Sequence, residues 1–169
     1  QYLESHPVHT AAVIGGGFIG AEAAANLAAS LDVTLVEAAP QILMPFDHDM
    51  VQILQKEMLD HGIHLVLNDG VAAIEEQAVR LASGRTVPAD LVIMAIGVRP
   101  RTALARAAGL TIGASGAIAV DAEGRTSDPA IYAVGDAAEV ALPLKRTTGR
   151  LSLAFPAQME ARRAADAIC

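Results

Sequence analysis

The sequence predicts an α/β domain built on a parallel sheet, and three observations support that class. Hydrophobic residues make up 53% of the 169 residues and aromatic residues only 3%, so the core consists mainly of Ala, Val, Ile and Leu, as in parallel sheets. Short apolar runs alternate with stretches whose apolar residues recur at helical spacing. The resulting order, strand–helix–strand–helix–strand with short connections, predicts a right-handed parallel sheet with helices on both faces.

The first part of the chain contains most of the predicted elements. Ile19, Ala23 and Leu27 share one face of a predicted helix, and Asp47 is expected to cap a second helix that Gly62 ends. Three short segments separated by the polar turns "EEQ" and "SG" predict an antiparallel meander in place of a helical crossover. The predicted boundaries are strands 11–14, 33–36, 63–67 and 91–96, helices 18–30 and 48–61, and meander segments 71–74, 78–81 and 85–87.

The second part of the chain is less regular. Thr102 is expected to cap a short helix that Gly109 ends. Strands are then expected at 117–120 and 131–134, on either side of the polar turn "DAEGRTSDP". The last predicted element is a helix over 159–169.

Consecutive glycines occupy the junction between the first strand and the first helix. Gly15, Gly17 and Gly20 fit the spacing G-x-G-x-x-G. We expect Gly15 to make the tight turn and Gly17 to leave room for a pyrophosphate, which the N–H groups at the helix start then face. Gly20 is expected to let the helix pack closely on the sheet. The sequence therefore predicts a Rossmann-like dinucleotide site, and a glycine turn that serves packing alone is the alternative.

Glu37 ends the second predicted strand, where a carboxylate can accept hydrogen bonds from both hydroxyls of an adenine ribose. The same negative charge repels a 2′-phosphate, and no Lys or Arg occurs between Leu31 and Gln55 to bind one. We therefore expect NAD(H) rather than NADP(H). A solvated acid at a strand end is the plainer alternative for Glu37.

Charge and composition disfavour several other classes of function. The formal net charge is −7, which argues against a nucleic-acid or anionic-membrane partner, and no apolar run is long enough for a membrane span. Cys169 is the single cysteine, so no disulfide forms within the chain and a cytoplasmic location is expected. The five histidines lack acidic or cysteine partners at ligand spacing, so no metal site is expected.

Five motifs along the chain carry a resemblance to a known family. They are "VIGGGFIGAEAA", "VTLVE", "PFDHDM", "DLVIMAIGVRP" and "TSDPAIYAVGDAAE". In this order they resemble the flavin-dependent pyridine nucleotide–disulfide oxidoreductases, in the branch with NADH oxidases, NADH peroxidases and coenzyme A-disulfide reductases. The resemblance implies an NAD(H)-binding domain at 8–113 and a partial FAD-binding domain segment at 114–169. The chain is then expected to be a middle piece, whose missing partners are the other half of the FAD domain and a dimerisation domain.

The resemblance also assigns positions around the nicotinamide. Phe18 stands where the family often has a Tyr whose ring covers the nicotinamide site, and Ile19 is expected to line the same pocket. Glu22 matches a family Glu that lies near the carboxamide, and Gly97 matches a glycine where the backbone passes close to NAD. An ordinary helix-surface acid is the alternative for Glu22, and a turn glycine is the alternative for Gly97.

In the second segment the resemblance implies contacts with FAD. Asp136 in "YAVGD" matches the Asp that binds the ribityl hydroxyls, beside Gly135, and a helix-capping role is the alternative. The implied reaction passes hydride from NADH to FAD and then electrons to a disulfide, a sulfur species or oxygen. Because the family's substrate-reducing cysteine has no counterpart in this chain, we expect NADH binding without turnover and assign no catalytic residue.

Two other classes of function stay open. A stand-alone NAD-sensing regulatory module would bind the dinucleotide without chemistry, but it would not need a flavin-contacting Asp136. An interaction fragment would expose apolar surface from Ile131, Val134, Leu151 and Leu153, and such surface tends to find a partner. We expect self-association through that surface.

Overall fold

The computed structural model describes residues 2–169, and over that range the chain forms two compact units that divide between Gly97 and Val98. This division does not test the functional boundary expected at 113, which stays a prediction. The first unit contains α1 (Tyr2–Ser5), β1 (Thr10–Ile14), α2 (Phe18–Leu27), β2 (Asp32–Val36), α3 (His48–Asp60), β3 (His64–Val66), β4 (Val71–Ile74), β5 (Ala78–Leu81), β6 (Thr86–Pro88) and β7 (Leu91–Met94).

A parallel sheet with the strand order β3-β2-β1-β7 organises the first unit. Ile14 lies beside Val36 on one side and beside Met94 on the other, so these three strands end at the same edge. The chain leaves β1 toward β2 and returns to the opposite side of β1 only at β7. The carboxyl end of β1 is therefore the topological switch point, where open α/β sheets bind ligands.

The two faces of this sheet are covered differently. On one face, Val13, Leu35, Val51 and Met58 belong to a buried cluster that joins the sheet to α2 and α3. On the other face, the meander β4-β5-β6 packs against the sheet instead of a helix. Its buried contacts come from Ala12, Ile14, Val36, Val66, Val79, Leu81, Val87 and Ala89. The α/β class and the meander are thus confirmed, but the expectation of helices on both faces is wrong for this sheet.

Helix boundaries match the sequence more closely than helix caps do. Asp47 and Thr102 occupy N-cap positions, yet among the described residues neither side chain makes a capping hydrogen bond. Thr102 Oγ1 instead donates to the Gly116 carbonyl at 3.5 Å. Gly62 follows α3 with φ +80°, a conformation that glycine adopts readily, so the predicted stop signal is confirmed.

The second unit is built around smaller elements. They are α4 (Ala103–Ala107), β8 (Ile118–Ala119), β9 (Ala138–Leu142), β10 (Thr147–Gly149), α5 (Ala154–Ile168) and single 3₁₀ turns at Gly135–Ala137 and Pro143–Lys145. β9 pairs in parallel with β8 and antiparallel with β10. The final helix begins five residues before its predicted start at 159, at Ala154.

The strand predicted at 131–134 is wrong. Among the described residues this segment has only an isolated bridge, between Tyr132 and Arg125. The Ile131 carbonyl accepts from Thr126 N–H, and Ala133 N–H donates to the Gly124 carbonyl, so the preceding turn takes these backbone groups. Val134 has extended backbone, with φ −141° and ψ 163°, but the apolar pattern could not report that no strand within the described residues pairs with this segment.

A buried carboxylate, Glu139, ties the second unit together. Its side chain is 5% exposed and accepts from Ser115 N–H at 2.6 Å, from Ser115 Oγ and from Thr148 Oγ1 at 2.7 Å. These hydrogen bonds lower the pKa of Glu139 below its usual value, and the bond from the Ser115 hydroxyl has the largest effect. Separately, no helix within residues 2–169 is long and apolar enough to cross a bilayer.

Candidate dinucleotide-binding site

The turn after β1 lies at the switch point and is shaped by Gly15. Its φ is +104°, and its N–H donates to the Val36 carbonyl at 2.8 Å, which aligns the turn with the end of β2. A Cβ on Gly15 would lie 2.4 Å from the carbonyl oxygen of Ala95, just beyond β7. Both the dihedral angle and this contact require glycine, so the predicted tight turn is present.

Gly20, on the first turn of α2, brings the helix against the backbone of β1. A Cβ there would lie 1.8 Å from the carbonyl oxygen of Gly15, a distance that no side chain could accept. One turn later Ala24 is fully buried in the core. These contacts account for the small residues that follow the turn and place the start of α2 directly over the end of β1.

Gly17 differs from both neighbours in the motif, because the fold does not require it. Its φ is −75° and its ψ −174°, an ordinary extended conformation at the N-cap of α2. Apart from its own chain neighbours, a Cβ added there meets no atom of residues 2–169 within 4 Å. The space in front of Gly17 is open and faces the N–H groups of the first helical turn, which have no partner inside the helix. Such space fits an anion that approaches the backbone closely.

The middle glycine, Gly16, had no predicted role in the motif, yet its surroundings also constrain it. Its N–H donates to Glu37 Oε2 at 2.6 Å and its carbonyl accepts from Leu43 N–H at 2.7 Å. A Cβ would lie 2.7 Å from Cγ2 of Ile42. Gly16 therefore holds the glycine turn against the loop that follows β2.

Besides its predicted role at a ribose, Glu37 holds two backbone N–H groups in place. While Oε2 accepts from Gly16, Oε1 accepts from Ala39 N–H at 2.8 Å, so the half-buried carboxylate bridges the glycine turn and its own loop. A carboxylate has about four acceptor positions, which leaves capacity for sugar hydroxyls. The structure thus places Glu37 beside the glycine turn, as the spacing predicted, while its contact with a ribose stays a prediction.

The loop 39–47, which we call the acid loop because it follows Glu37, is held by buried amides. Gln41 is 7% exposed; its Nε2 donates to the Phe46 carbonyl at 3.0 Å and its Oε1 lies 2.8 Å from His48 Nδ1. Gln55 of α3, also 7% exposed, accepts from Ile42 N–H at 3.2 Å. Sequence reasoning missed this network. The available signal was the Gln at position 55, in register with the apolar residues of α3.

An aromatic pair borders the open space. The rings of Phe18 and Phe46 meet edge to face with centroids 5.8 Å apart, and each side chain remains about half exposed. Ile19 and Glu22 of α2 are exposed, and Gly97 has φ +87° beyond the end of β7. Phe18, Ile19 and Gly97 thus lie at the same edge of the sheet as the glycine turn. Their contacts with a nicotinamide, and that of Glu22, stay predictions.

Gly135 and Asp136 belong to the second unit, and their contact with FAD stays a prediction. Gly135 has φ +72°, and its N–H donates to Glu160 Oε2 of α5 at 2.6 Å. The following residue, Asp136, lies in the 3₁₀ turn with an exposed carboxylate. A cavity of about 310 Å³ lies beside Glu160, lined largely by apolar residues such as Val140, Leu151 and Met159. An exposed acceptor on a turn fixed to a helix suits a polyhydroxyl ligand.

The fold and the first site together define a dinucleotide-binding α/β protein. The glycine turn, the open helix start and the acid at the end of β2 occur in one place, at the switch point of a parallel sheet. Residues 1–161 match the family described as pyridine nucleotide-disulphide oxidoreductase, and this chain belongs to that family. The family expected from the sequence motifs is thereby confirmed, and with it the cofactors of the family, FAD and NAD(H).

Individual relatives agree with this assignment. The NADH oxidase of Methanocaldococcus jannaschii is 43% identical over 145 residues, which cover 83% of this chain and 32% of that protein. The crystal structure of reduced Bacillus anthracis CoADR-RHD matches 99% of this chain and 30% of its own, with a TM-score of 0.95 and 44% identity. The water-forming NADH oxidase from Lactobacillus brevis, bound to NADH, matches 98% and 38% of the two chains, with a TM-score of 0.89 and 29% identity. The chain therefore spans about a third of the length of these relatives.

Proposed function

We propose that this chain is the NADH-binding segment of a flavin-dependent oxidoreductase, in which hydride passes from NADH to FAD and electrons then reach a disulfide, a sulfur species or oxygen. Membership of the family and the names of the relatives support the reaction class. The single observation that carries the binding proposal is the open space at Gly17, because neither backbone strain nor packing explains a glycine there.

The residues at the switch point fit a dinucleotide. The first N–H groups of α2 would bind the pyrophosphate, which can approach closely because Gly17 has no side chain. Glu37 would accept from the adenine ribose with the lone pairs that Gly16 and Ala39 leave free. The same carboxylate disfavours a 2′-phosphate, and the acid loop contains no Lys or Arg to bind one. We therefore propose NADH rather than NADPH.

The nicotinamide supplies hydride when it is bound; the chain supplies position and shielding from water. Phe18 and Ile19 offer apolar surface beside the glycine turn, with Gly97 and Glu22 as the further contacts. Asp136 and Gly135 would hold the ribityl part of FAD, since the exposed carboxylate can accept from hydroxyl groups. In this proposal residues 8–113 bind NAD(H) and 114–169 form part of the FAD domain, so the isolated chain binds NADH without turning it over.

Calorimetric titration of the whole 169-residue chain with NADH and NADPH tests the proposal. We expect NADH to bind at least tenfold more tightly than NADPH, and Gly17→Val to abolish NADH binding without changing the far-UV circular dichroism. Ala25→Val, at an exposed position further along the same helix, is the matched control and should bind normally. Unchanged affinity in Gly17→Val would contradict the site, and tight FAD binding with NADH oxidation by this chain would contradict the lack of turnover.

A second proposal concerns the exposed apolar side chains of the second unit. Ile131 and Leu151 are more than a third exposed, Leu153 is half exposed and Phe155 is 71% exposed, whereas Val134 is partly buried. We propose that the isolated chain self-associates through this surface. Light scattering over a concentration series should show a rising mass, and a constant monomer mass would contradict the proposal. The NAD-sensing alternative has no structural observation in its favour.

A further inference from the structure

We propose that Gln41 and Gln55 are positioning residues for dinucleotide binding, which hold the acid loop in its binding shape. The inference rests on the proposed function, because it assigns residues that support the NADH site without touching the ligand. Both side chains are only 7% exposed, and burying an amide is unfavourable unless its hydrogen bonds are made. Their bonds all go to the acid loop or to its junction with α3.

Gln55 connects the body of α3 to the middle of the acid loop. It lies on the buried face of α3 between Val51 and Met58. Its Oε1 accepts from the N–H of Ile42, a residue that is fully buried and touches Gly16. A helix anchored in the core therefore sets the position of Ile42, and Ile42 in turn supports the back of the glycine turn.

Gln41 closes the base of the acid loop. Its Nε2 donates to the carbonyl of Phe46, five residues later, and its Oε1 is bonded to His48, the first residue of α3. One side chain thus joins the start of the loop, the end of the loop and the helix. While both bonds persist, the two ends of the segment 41–46 stay together and remain fixed to the start of α3.

The acid loop needs this support because its own backbone is strained. Leu43 has φ +46°, a conformation that costs free energy for a residue with a Cβ, and it persists only where surrounding contacts impose it. In that conformation its N–H donates to the Gly16 carbonyl at 2.7 Å. If the glutamine bonds are lost, we expect Leu43 to relax and the contacts of Gly16 and Glu37 to loosen with it.

A loop that is correctly formed only part of the time lowers affinity in a defined way. The apparent Kd equals the intrinsic Kd divided by the fraction of molecules in the binding shape. If removing one glutamine acceptor reduces that fraction to between a third and a tenth, the Kd rises by about threefold to tenfold. The loss appears in the association rate, since the complex, once formed, has the same contacts.

The test compares three matched substitutions in the 169-residue chain: Gln55→Met, Gln41→Met and Gln77→Met. Met has a similar length but accepts only weakly. The control, Gln77, is an exposed residue in the turn between β4 and β5, away from the acid loop. NADH is the probe, followed by its own fluorescence in equilibrium and stopped-flow measurements at 10 °C, with thermal unfolding recorded in parallel. We expect about threefold to tenfold higher Kd and slower association for the two buried positions, with no change for Gln77→Met.

A lower melting temperature with unchanged Kd and association rate would overturn the inference, since that is the result of a merely structural role. If Gln55→Met does not fold, Gln41→Met alone decides between the same two outcomes, because its bonds lie at the loop base outside the α3 packing face. The wild-type titration separates the two proposals. A wild-type chain that does not bind NADH refutes the proposed function, whereas normal binding in all three variants refutes only the role of the glutamines.

Discussion

Replacing Gly17 and Gly20 separately by Ala should give opposite results, although the two glycines belong to one motif. A Cβ on Gly20 would lie 1.8 Å from the Gly15 carbonyl oxygen, whereas close C···O contacts in proteins are about 3.3 Å. The helix would have to move away from β1 by more than an ångström, with Ala24 already fully buried behind it. Overpacking of this kind lowers the free energy of unfolding by up to about 3 kcal/mol. Because the clash is with backbone, which cannot rotate away, we expect a loss near that upper value.

Gly17→Ala meets no such obstacle. Apart from the adjacent residues 16 and 18, no atom in the described part of the chain lies within 4 Å of the added Cβ, and φ is −75°, so the folded state accepts the methyl group. Ala restricts the unfolded chain, a gain of about 0.4–1 kcal/mol, but it is a poorer N-cap than Gly by a similar amount. The net change in the free energy of unfolding should therefore lie within about 0.5 kcal/mol of zero.

Urea unfolding followed by far-UV circular dichroism measures the difference directly. With an unchanged m-value, the midpoint of Gly20→Ala should fall by about 1–2 M urea while that of Gly17→Ala stays in place. NADH affinity should fall for Gly17→Ala although this variant is as stable as the wild type, because the added methyl group occupies the open space at the helix start. A stable Gly20→Ala, or a Gly17→Ala that loses 2 kcal/mol or more, would refute the division between packing and binding glycines.

Three further predictions concern acid sensitivity and the support of the site. Because the pKa of Glu139 is lowered, its contribution to stability is complete above the usual value of 4.5 and is lost as pH falls through the folded-state pKa, which an acid titration followed by circular dichroism should show. Glu139→Gln should lower the free energy of unfolding by about 2 kcal/mol at neutral pH and remove this dependence of stability on pH. The N–H groups of His9 and Thr10 lower the pKa of Asp90, so Asp90→Asn should have a lower melting temperature than the wild type at pH 7. Calorimetry should show that the two melting temperatures come closer together in acid, where the wild-type carboxylate is protonated. Ile42→Ala should cost about 3 kcal/mol by cavity formation, measured by urea unfolding, and also weaken NADH binding.

Local patterns predicted where most elements begin and end. α2 begins at Phe18 and α3 at His48, as expected, because helical spacing and the flanking glycines are properties of neighbouring residues. The position of Glu37 next to the glycine turn also followed from sequence, since parallel strands end at one edge of a sheet. Caps were less predictable: Asp47 stands at the right position, but its carboxylate makes no capping bond to the described residues.

The sequence by itself determined the alternation of strands and helices, the glycine turn and the acid after β2, because each depends on backbone preferences and burial along short stretches. Only the tertiary structure decided which element covers the second sheet face, that 131–134 lacks a strand partner, and that Gly16, Ile42 and Gln55 meet behind the site. Periodicity reports whether a side chain is buried but not against what. Contacts between residues distant in sequence depend on how the finished elements pack, and that information is absent from any single segment.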